Sequence, residues 1–513
     1  MAEPGKQRAS LWWQNPWVLT AFILASATPI LFVTLPPLTD YFGHMGRYRV
    51  ELGLATSPEL QRNWDFHWAL IANLGVDLLI VPLANIFGLE RAIWIVALVL
   101  PPFLAWGFVR AAKATHGAVP AVAIATFPLA LAYPYQYGFV NYWLGLGIAF
   151  HVYAFWRQIE RPSRLHMAGF AAVSLALWIC HIFAWGVMCV LVGCTELARF
   201  WNAGERNPLK MAWHGIARAW PLMLPLLLTA IWRTHGEGAT TLGWFRWEHK
   251  FLSFIYTLRD QSQWLDIGSL IYIVLLIYSG IRSSNGRIDR GLGAAAAAFF
   301  VIAIIFPFQL FGSAYADARV WPVLMMVGLL AIRFEPDSGT ISRAVAACSA
   351  LIFVARITVS TLGFVQYEAD NNRHLLALDH VARGSRVAVI ARYPCPALWR
   401  RWRIEHMGSI ALLRRDAFVN SQWDVPGAQL LRPLAARGTD WNADPSQFLG
   451  GRVCENDMHA EFRDRIKDIP RDRFDYVWLL DIPTRPLPAY PGLKPLYWDE
   501  RTVLYALEKG SAL

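Results

Sequence analysis

A carboxylate, an imidazole and a guanidinium recur at helical spacing early in the chain, in Leu38-Thr39-Asp40-Tyr41-Phe42-Gly43-His44-Met45-Gly46-Arg47-Tyr48-Arg49-Val50-Glu51. Asp40, His44, Arg47 and Glu51 stand at i, i+4, i+7 and i+11, a narrow stripe on an α-helix, with Tyr41, Met45, Tyr48 and Leu52 on the stripe beside it. A carboxylate can take a proton from a hydroxyl, an imidazole can orient it or share that proton, and a guanidinium offers a planar fork to an anion. The competing account is an amphipathic helix with a solvated polar face, in which Asp40–His44 and Arg47–Glu51 are local pairs contributing about 0.2–0.5 kcal/mol each. His44 and Asp40 together offer too few ligands to favour a metal, so no cofactor is expected.

Later in the chain, Phe139-Val140-Asn141-Tyr142-Trp143-Leu144-Gly145 places Asn141 and Tyr142 at a helix start, where a cap and an interfacial anchor are as natural as a substrate contact. His181 lies in an apolar stretch and reads first as a satisfied structural histidine. Asp317 and Arg319, in Phe311-Gly312-Ser313-Ala314-Tyr315-Ala316-Asp317-Ala318-Arg319, sit at a span mouth, where they can pair with each other or serve a substrate. Asp77 is costly if buried and is expected to pair with an arginine. Arg400-Arg401-Trp402-Arg403 reads as a solvated face or a lipid-headgroup contact.

These residues must be positioned by helices that live in lipid. Of 513 residues, 56% are hydrophobic and only 16% charged, against about 25% charged in a soluble domain. The charge is concentrated between apolar runs near 20 residues, the length that crosses a hydrocarbon core of about 30 Å. Twenty-five Trp and 17 Tyr suit the headgroup level. About eleven spans are expected, starting near Trp17, Arg91, Ala118, Val140, Met167, Ala184, Arg218, Asp266, Gly291, Val320 and Ile341. Met167 to Phe200 is either two short helices broken at His181-Ile182-Phe183 or one tilted helix.

Alternate gaps carry the positive charge: Lys6 and Arg8; Arg110 and Lys113; Arg157, Arg161 and Arg164; Arg199, Arg206 and Lys210; Arg282, Arg287 and Arg290; Arg333 and Arg343. The gaps around Tyr133–Phe139 and at His181 carry neither Lys nor Arg. This places the N-terminus in the cytoplasm and, with an odd span count, the tail outside. The apolar stretch from His67 to Phe87 would flip every later loop if it spanned, and it contains Asn73 and Asp77, so an interfacial or bundle-packed helix is expected there. Residues 1–366 then form a transmembrane domain whose first outer loop, 37–90, carries interfacial helices. Residues 367–513 form an extracytoplasmic α/β domain, with strands expected at Ser385–Ile390 and Asp475–Leu480. Cys180, Cys189, Cys194 and Cys348 read as small core residues, while Cys395 and Cys454 either pair or remain two thiols. The first apolar run is read as an uncleaved span rather than a removed signal.

A net charge of +10 spread among short loops, with no basic patch, argues against nucleic acid. No P-loop, no Ser/His/Asp signature and no Cys/His metal cluster is present. With Asp40 directly after the first span, Asp317-Ala318-Arg319, and the Phe139–Gly145 phrase, the chain resembles membrane-embedded glycosyltransferases of the GT-C superfamily, such as protein O-mannosyltransferases and lipid A aminoarabinose transferases. The resemblance implies a polyprenyl-phosphate-linked sugar donor, a lipid, glycan or protein acceptor, and a multi-pass protein of a bacterial inner membrane with a periplasmic tail. It implies Asp40 as the base, with His44 orienting it or sharing the proton. Arg47 or Arg319 would then hold phosphate, and Asp65, in Asn63-Trp64-Asp65-Phe66-His67, would be a second loop acid. Asp40 is followed by Tyr41, not by the second acid of many relatives, and the tail lacks the Trp-Trp-Asp of oligosaccharyltransferases. The aromatic loop Trp244–Trp264 suits acceptor binding or interfacial anchoring. Two other classes compete with the enzyme: a transporter of a lipid-linked glycan, disfavoured by the lack of an internal repeat, and a non-catalytic assembly protein.

Overall fold

The computed structural model describes residues 11–235, 240–337, 339–394, 398–449, 458–482 and 484–508. Four helices are long and apolar enough to cross a membrane: Leu89–His116, Ile182–Asn202, Gln263–Arg282 and Thr340–His380. Shorter apolar helices at Pro16–Ala25, Gly75–Phe87, Arg164–Cys180 and Arg290–Ile305 pack with them. The chain is a multi-pass membrane protein. Cys395 and Cys454, whose pairing was left open, lie outside the described residues.

The basic gaps meet at one end of the bundle. Gly286–Ile288 pairs antiparallel with Ile332–Phe334, Arg157 pairs with Asp289, Arg290 donates to Asn202, and His116 reaches the Leu330 carbonyl at 2.8 Å. Gln14 donates to the Val119 carbonyl, bringing the first described residues to the same end. The uncharged turns at Tyr133–Tyr137 and His181 lie at the opposite end, beside Asp40. The charge alternation therefore reads correctly which gaps share an end.

Several expected elements differ. The run from Ala118 is not a full α-helix but a 3-10 helix, Ala121–Leu131, with every residue buried. At about 2 Å per residue the tighter helix extends further than an α-turn would, and its enclosure by protein keeps its strained backbone from lipid. The first apolar run breaks after Ala25 and resumes at Thr28–Leu31 ahead of the Pro36-Pro37 stop. The run from Arg218 is cut at Pro221 and Pro225 into short pieces. Between Met167 and Phe200 there are two helices, Arg164–Cys180 and Ile182–Asn202, broken at His181.

The expected His67–Phe87 helix begins only at Gly75. The preceding residues give their backbone groups to that same break: Ile182 N–H donates to the Ala72 carbonyl and Leu74 N–H to the Ile179 carbonyl. A backbone paired outward in this way cannot also close helical turns.

The tail contains a six-stranded mixed sheet. Arg386–Arg392 pairs parallel with Phe418–Val419, Phe448–Leu449 and Tyr476–Leu480, and Thr502–Leu507 then pairs antiparallel with Tyr476–Leu480 and Leu493–Trp498. Both strands expected from sequence are present. Residues 387–391 of the first are all buried, the continuous apolar run of a central parallel strand covered on both faces. The Thr340–Leu375 helix runs through residue 366 and into the tail.

Tail and bundle are joined through the first loop. Trp64–Phe66 pairs antiparallel with Leu431–Pro433 of the tail, and the Tyr41–Gly53 helix packs on Ser409–Arg415. A Cβ on Gly43 would stand 2.5 Å from the Trp423 ring, so the close approach needs glycine. Asp416 clamps the joint, accepting from Arg49 Nε at 2.7 Å and from Arg383 Nε at 2.9 Å. Burial opposes its ionisation, but those two arginines hold its carboxyl below the usual range. A depressed carboxyl contributes stability above its unfolded value, about 3.9, and loses it as pH falls through the folded value. Asp416→Asn should therefore melt below wild type at pH 6, by the equivalent of about 1.5–3 kcal/mol. The gap should close as pH falls below about 4, measured by thermal unfolding in detergent across that range.

Candidate active site

Pro36-Pro37 ends the first apolar segment, and Asp40 follows at the N-terminus of the Tyr41–Gly53 helix. Its backbone N–H donates to the Tyr137 carbonyl at 2.7 Å, which fixes where the side chain starts. Gly138 makes this possible: its φ is +102°, and a Cβ there would stand 2.7 Å from the Tyr41 nitrogen. The Asp40 carboxylate does not cap its own helix. It faces a cavity of about 930 Å³ at the junction of bundle and tail, at the upper end of the range for small-molecule sites.

The bundle contributes Asp40, His44, Asn141, Tyr142, His181 and Arg319 to this cavity. Arg319 is buried, donates to the Ala314 carbonyl at 2.6 Å and lies 4.0 Å over the Phe139 ring. It makes no ion pair among the described residues, and its Nε has no hydrogen-bond partner. Tyr142 donates to the Arg319 carbonyl. Asn141 is a bracket as well as a wall: its Oδ1 accepts from Val76 N–H at 2.6 Å and its amide donates to the Asn73 carbonyl at 2.8 Å. His181 caps the Ile182–Asn202 helix by accepting from Phe183 N–H.

Other expected site residues lie elsewhere. Arg47 faces away from the cavity and pairs with Asp77 at 2.7 Å, both sealed from solvent, and it also donates to Gln429. It is the arginine Asp77 required, with its charge already matched. Asp65 sits on the strand paired with the tail, half-exposed beside His67 at 3.1 Å, and does not line the cavity. Asp317 turns to His249 at 3.3 Å and Lys250 at 3.7 Å, not to Arg319. The helical stripe therefore divides, with Asp40 and His44 in the cavity and Arg47 in a structural pair.

The other wall comes from the tail, and sequence reasoning missed it. Tyr393 follows the central strand Arg386–Arg392, and the connection beyond it carries Glu405 and His406. The carboxyl ends of parallel strands are where α/β sheets bind ligands. His406 Nε2 lies 3.6 Å from Asp40 Oδ1, so the imidazole beside Asp40 is His406 and not His44. His44 instead packs its ring 5.0 Å from Trp423, which also meets His406 at 4.5 Å. Asp444 completes a group of three carboxylates with Asp40 and Glu405.

Burial pushes the Asp40 carboxyl up to about 7, with His406 pulling it down and Glu405 adding to the rise. Glu405 is likewise raised by burial. Burial works to lower His406, but Asp444, Asp40 and Glu405 hold it above the usual imidazole range. His44 is pushed well below that range by burial, then by Arg47, and is a neutral ring. A carboxyl near 7 is matched to general-base work at neutral pH. One ligand atom each from Asp40, Glu405 and His406 lies within 4.8 Å of the others, so the tail supplies ligands that the loop lacks.

Arg401 and Arg403 of the basic cluster Arg400–Arg403 do not form the expected solvated face or headgroup contact. Arg401 and Arg403 are buried. Arg401 donates to Thr39 at 2.9 Å and lies 3.9 Å over the Tyr137 ring. Arg403 donates to the Pro37 carbonyl, Gln136 and Asp260. The cluster pins the Glu405–His406 segment against the bundle mouth. A signal for it was in the sequence, since an acid–histidine dipeptide two residues past three arginines can form a site only if something holds it.

No family model and no curated protein matches the chain. Among solved structures it is similar to ArnT from Cupriavidus metallidurans bound to undecaprenyl phosphate, at 14% identity and a TM-score of 0.47, covering 96% of this chain and 98% of that one. The apo state of ArnT gives 14% identity and 0.49, covering 96% and 97%. The arabinofuranosyltransferase AftD from Mycobacteria gives 14% and 0.46, covering 98% of this chain and 40% of that one. At such scores the likeness decides neither mechanism nor substrate, and the case for function rests on the residues of this cavity.

Proposed function

We propose that the protein is a membrane glycosyltransferase that moves a sugar from a polyprenyl-phosphate-linked donor to a lipid, glycan or protein acceptor. The observation that carries this reading is the meeting in one junctional cavity of Asp40, a carboxylate near 7, and Arg319, a buried guanidinium; among the described residues Asp40 has no hydrogen-bond donor on its side chain and Arg319 no ion pair. In the reaction the acceptor hydroxyl oxygen attacks the anomeric carbon and its proton passes to Asp40. The bond from that carbon to the phosphate oxygen breaks, its electron pair stays on the departing phosphate, and Arg319 faces the charge. A donor lipid tail stays in the bilayer, so a cavity at the bundle mouth suits the chemistry. The basic gaps gathered at the far end support, by the positive-inside rule, a reading with that end in the cytoplasm. The cavity and tail then lie on the periplasmic side of a bacterial inner membrane.

The test supplies the purified protein with radiolabelled polyprenyl-phosphate sugars and membrane extract as acceptor. Label is expected in a new glycosidic linkage. Movement of labelled lipid across proteoliposomes with no new linkage would overturn the reading in favour of a transporter.

A further inference from the structure

We propose that a cavity of about 380 Å³ adjoining the first is the acceptor site, and that it takes a saccharide bearing an anionic group, a carboxylate or a phosphate. Its role as acceptor site rests on the transferase reading; the binding itself does not. Tyr137, Tyr315, Tyr393 and Glu405 line both cavities and form the wall they share. In that wall a Glu405 carboxylate oxygen lies within 4.8 Å of one on Asp40. A ligand filling the second cavity therefore ends beside the base, while Arg319 lines only the first.

Rings dominate the rest of the lining, with Tyr133, Tyr256, Trp399 and Trp402 joining the shared tyrosines. The C–H face of a sugar packs on an aromatic face, and its hydroxyls find polar partners at the edges. The rings are held in place before any ligand arrives. Trp399 donates to Asp266 at 2.8 Å and meets Tyr256 edge-on at 5.6 Å, and Trp402 packs 4.7 Å from Tyr393. Among the described lining residues only Leu252 and Leu398 are aliphatic, too little apolar surface to bury an acyl chain.

The preference for an anion comes from two arginines. Arg401 is 5% exposed, and its Nε donates to Thr39 at 2.9 Å. Its guanidinium lies 3.9 Å over the Tyr137 ring and 4.9 Å over that of Tyr133. Its terminal nitrogens have no hydrogen-bond partner and no ion pair among the described residues, and they belong to the cavity wall. A buried guanidinium without a counter-charge is costly. Glu405, the one acid in the described lining, accepts from the Tyr137 hydroxyl and does not pair with it. Arg259 donates to the Trp399 and Leu398 carbonyls at 2.8 and 2.9 Å and lies 4.4 Å over the Tyr256 ring, also without an ion pair among the described residues. Two guanidinium forks already fixed in position match the oxygens of a carboxylate or a phosphate.

Full-length protein in detergent is titrated by isothermal calorimetry with three glucose tetrasaccharides: one neutral, one with a glucuronate in place of a glucose, and one carrying a 6-phosphate. Both charged chains are expected to bind more tightly than the neutral one, by a factor of about 10 or more. The tighter of the two identifies the anion. Arg259→Gln and Arg401→Gln, each first shown to melt as wild type, should remove most of that difference, and Arg161→Gln at the far end should leave it. Arg259 is half-buried, so its variant carries the test if loss of the Thr39 bond unfolds Arg401→Gln. Equal binding of neutral and charged chains, no saturable binding of either charged chain, or a difference undiminished in Arg259→Gln overturns the proposal. Charged-chain binding by a protein that transfers no labelled sugar would keep the site and sink the transferase reading. Transfer to a lipid or a peptide, with the charged chains unused, would keep the transferase and overturn this assignment of its acceptor.

Discussion

Asp40→Asn is expected to lower sugar transfer by a factor of about 10²–10⁴ while leaving the protein folded. The substitution keeps the shape of the side chain and removes its capacity to accept a proton. Little structure should go with it, because the Asp40 side chain holds nothing in place: it does not cap its helix, and its backbone anchor to Tyr137 is independent of the side chain. The carboxylate also sits half-buried beside Glu405 and Asp444, and desolvation has already raised it to about 7. Neutralising it relieves a repulsion, so the melting temperature should stay level or rise. The measurement pairs initial rates of radiolabel transfer with thermal unfolding of both proteins. Equal transfer by the two would remove Asp40 as the base. A collapse in melting temperature would make it structural instead.

The second large effect concerns the joint between bundle and tail. Arg403→Met should destabilise the protein by about 3–5 kcal/mol, because it leaves a buried charge without its partner. Arg403 is 1% exposed and Asp260 2%. Their bond is 3.1 Å long, and the same guanidinium donates to Gln136 at 2.8 Å and to the Pro37 carbonyl. Methionine fills much of the volume beside Phe364 and Tyr367, on whose rings Arg403 lies, but satisfies none of the acceptors. Adding Asp260→Asn should recover a large part of the loss, since the uncompensated charge is its main source. Thermal unfolding in detergent, with limited proteolysis of the tail, reads both variants. Arg403→Met melting with wild type would show that the tail is held by other contacts.

The helical stripe shows how far local spacing reaches. It predicts the Tyr41–Gly53 helix and puts Asp40 at its start, because helical periodicity is a property of neighbours in sequence. It cannot say that Arg47 would be spent on Asp77, since burial of an acid 30 residues away decides that. His181 was likewise legible as a structural histidine, and it caps the helix that follows it, whereas Asn141 does not cap its own helix and instead bonds across to Asn73 and Val76. That they also line the cavity follows only from packing. The longest expected helix start, at His67, was wrong for the same reason: residues 72–74 bond across to the break near His181, a partner that no window of sequence contains.

Composition, apolar run length and alternating charge determined by themselves that this chain crosses a membrane several times, which gaps share an end, and that a carboxylate follows the first apolar run. These are sums over short stretches, and each stretch carries its own share of the signal. Only the tertiary structure decided that the site has two walls. Glu405, His406 and Asp444 lie in the tail, far along the chain from Asp40, and a parallel strand, a buried arginine anchor and a loop strand paired with a tail strand bring them together. Proton affinity, charge balance and ligand count at Asp40 depend on distances of a few ångströms across that joint, and such distances are written in no local pattern.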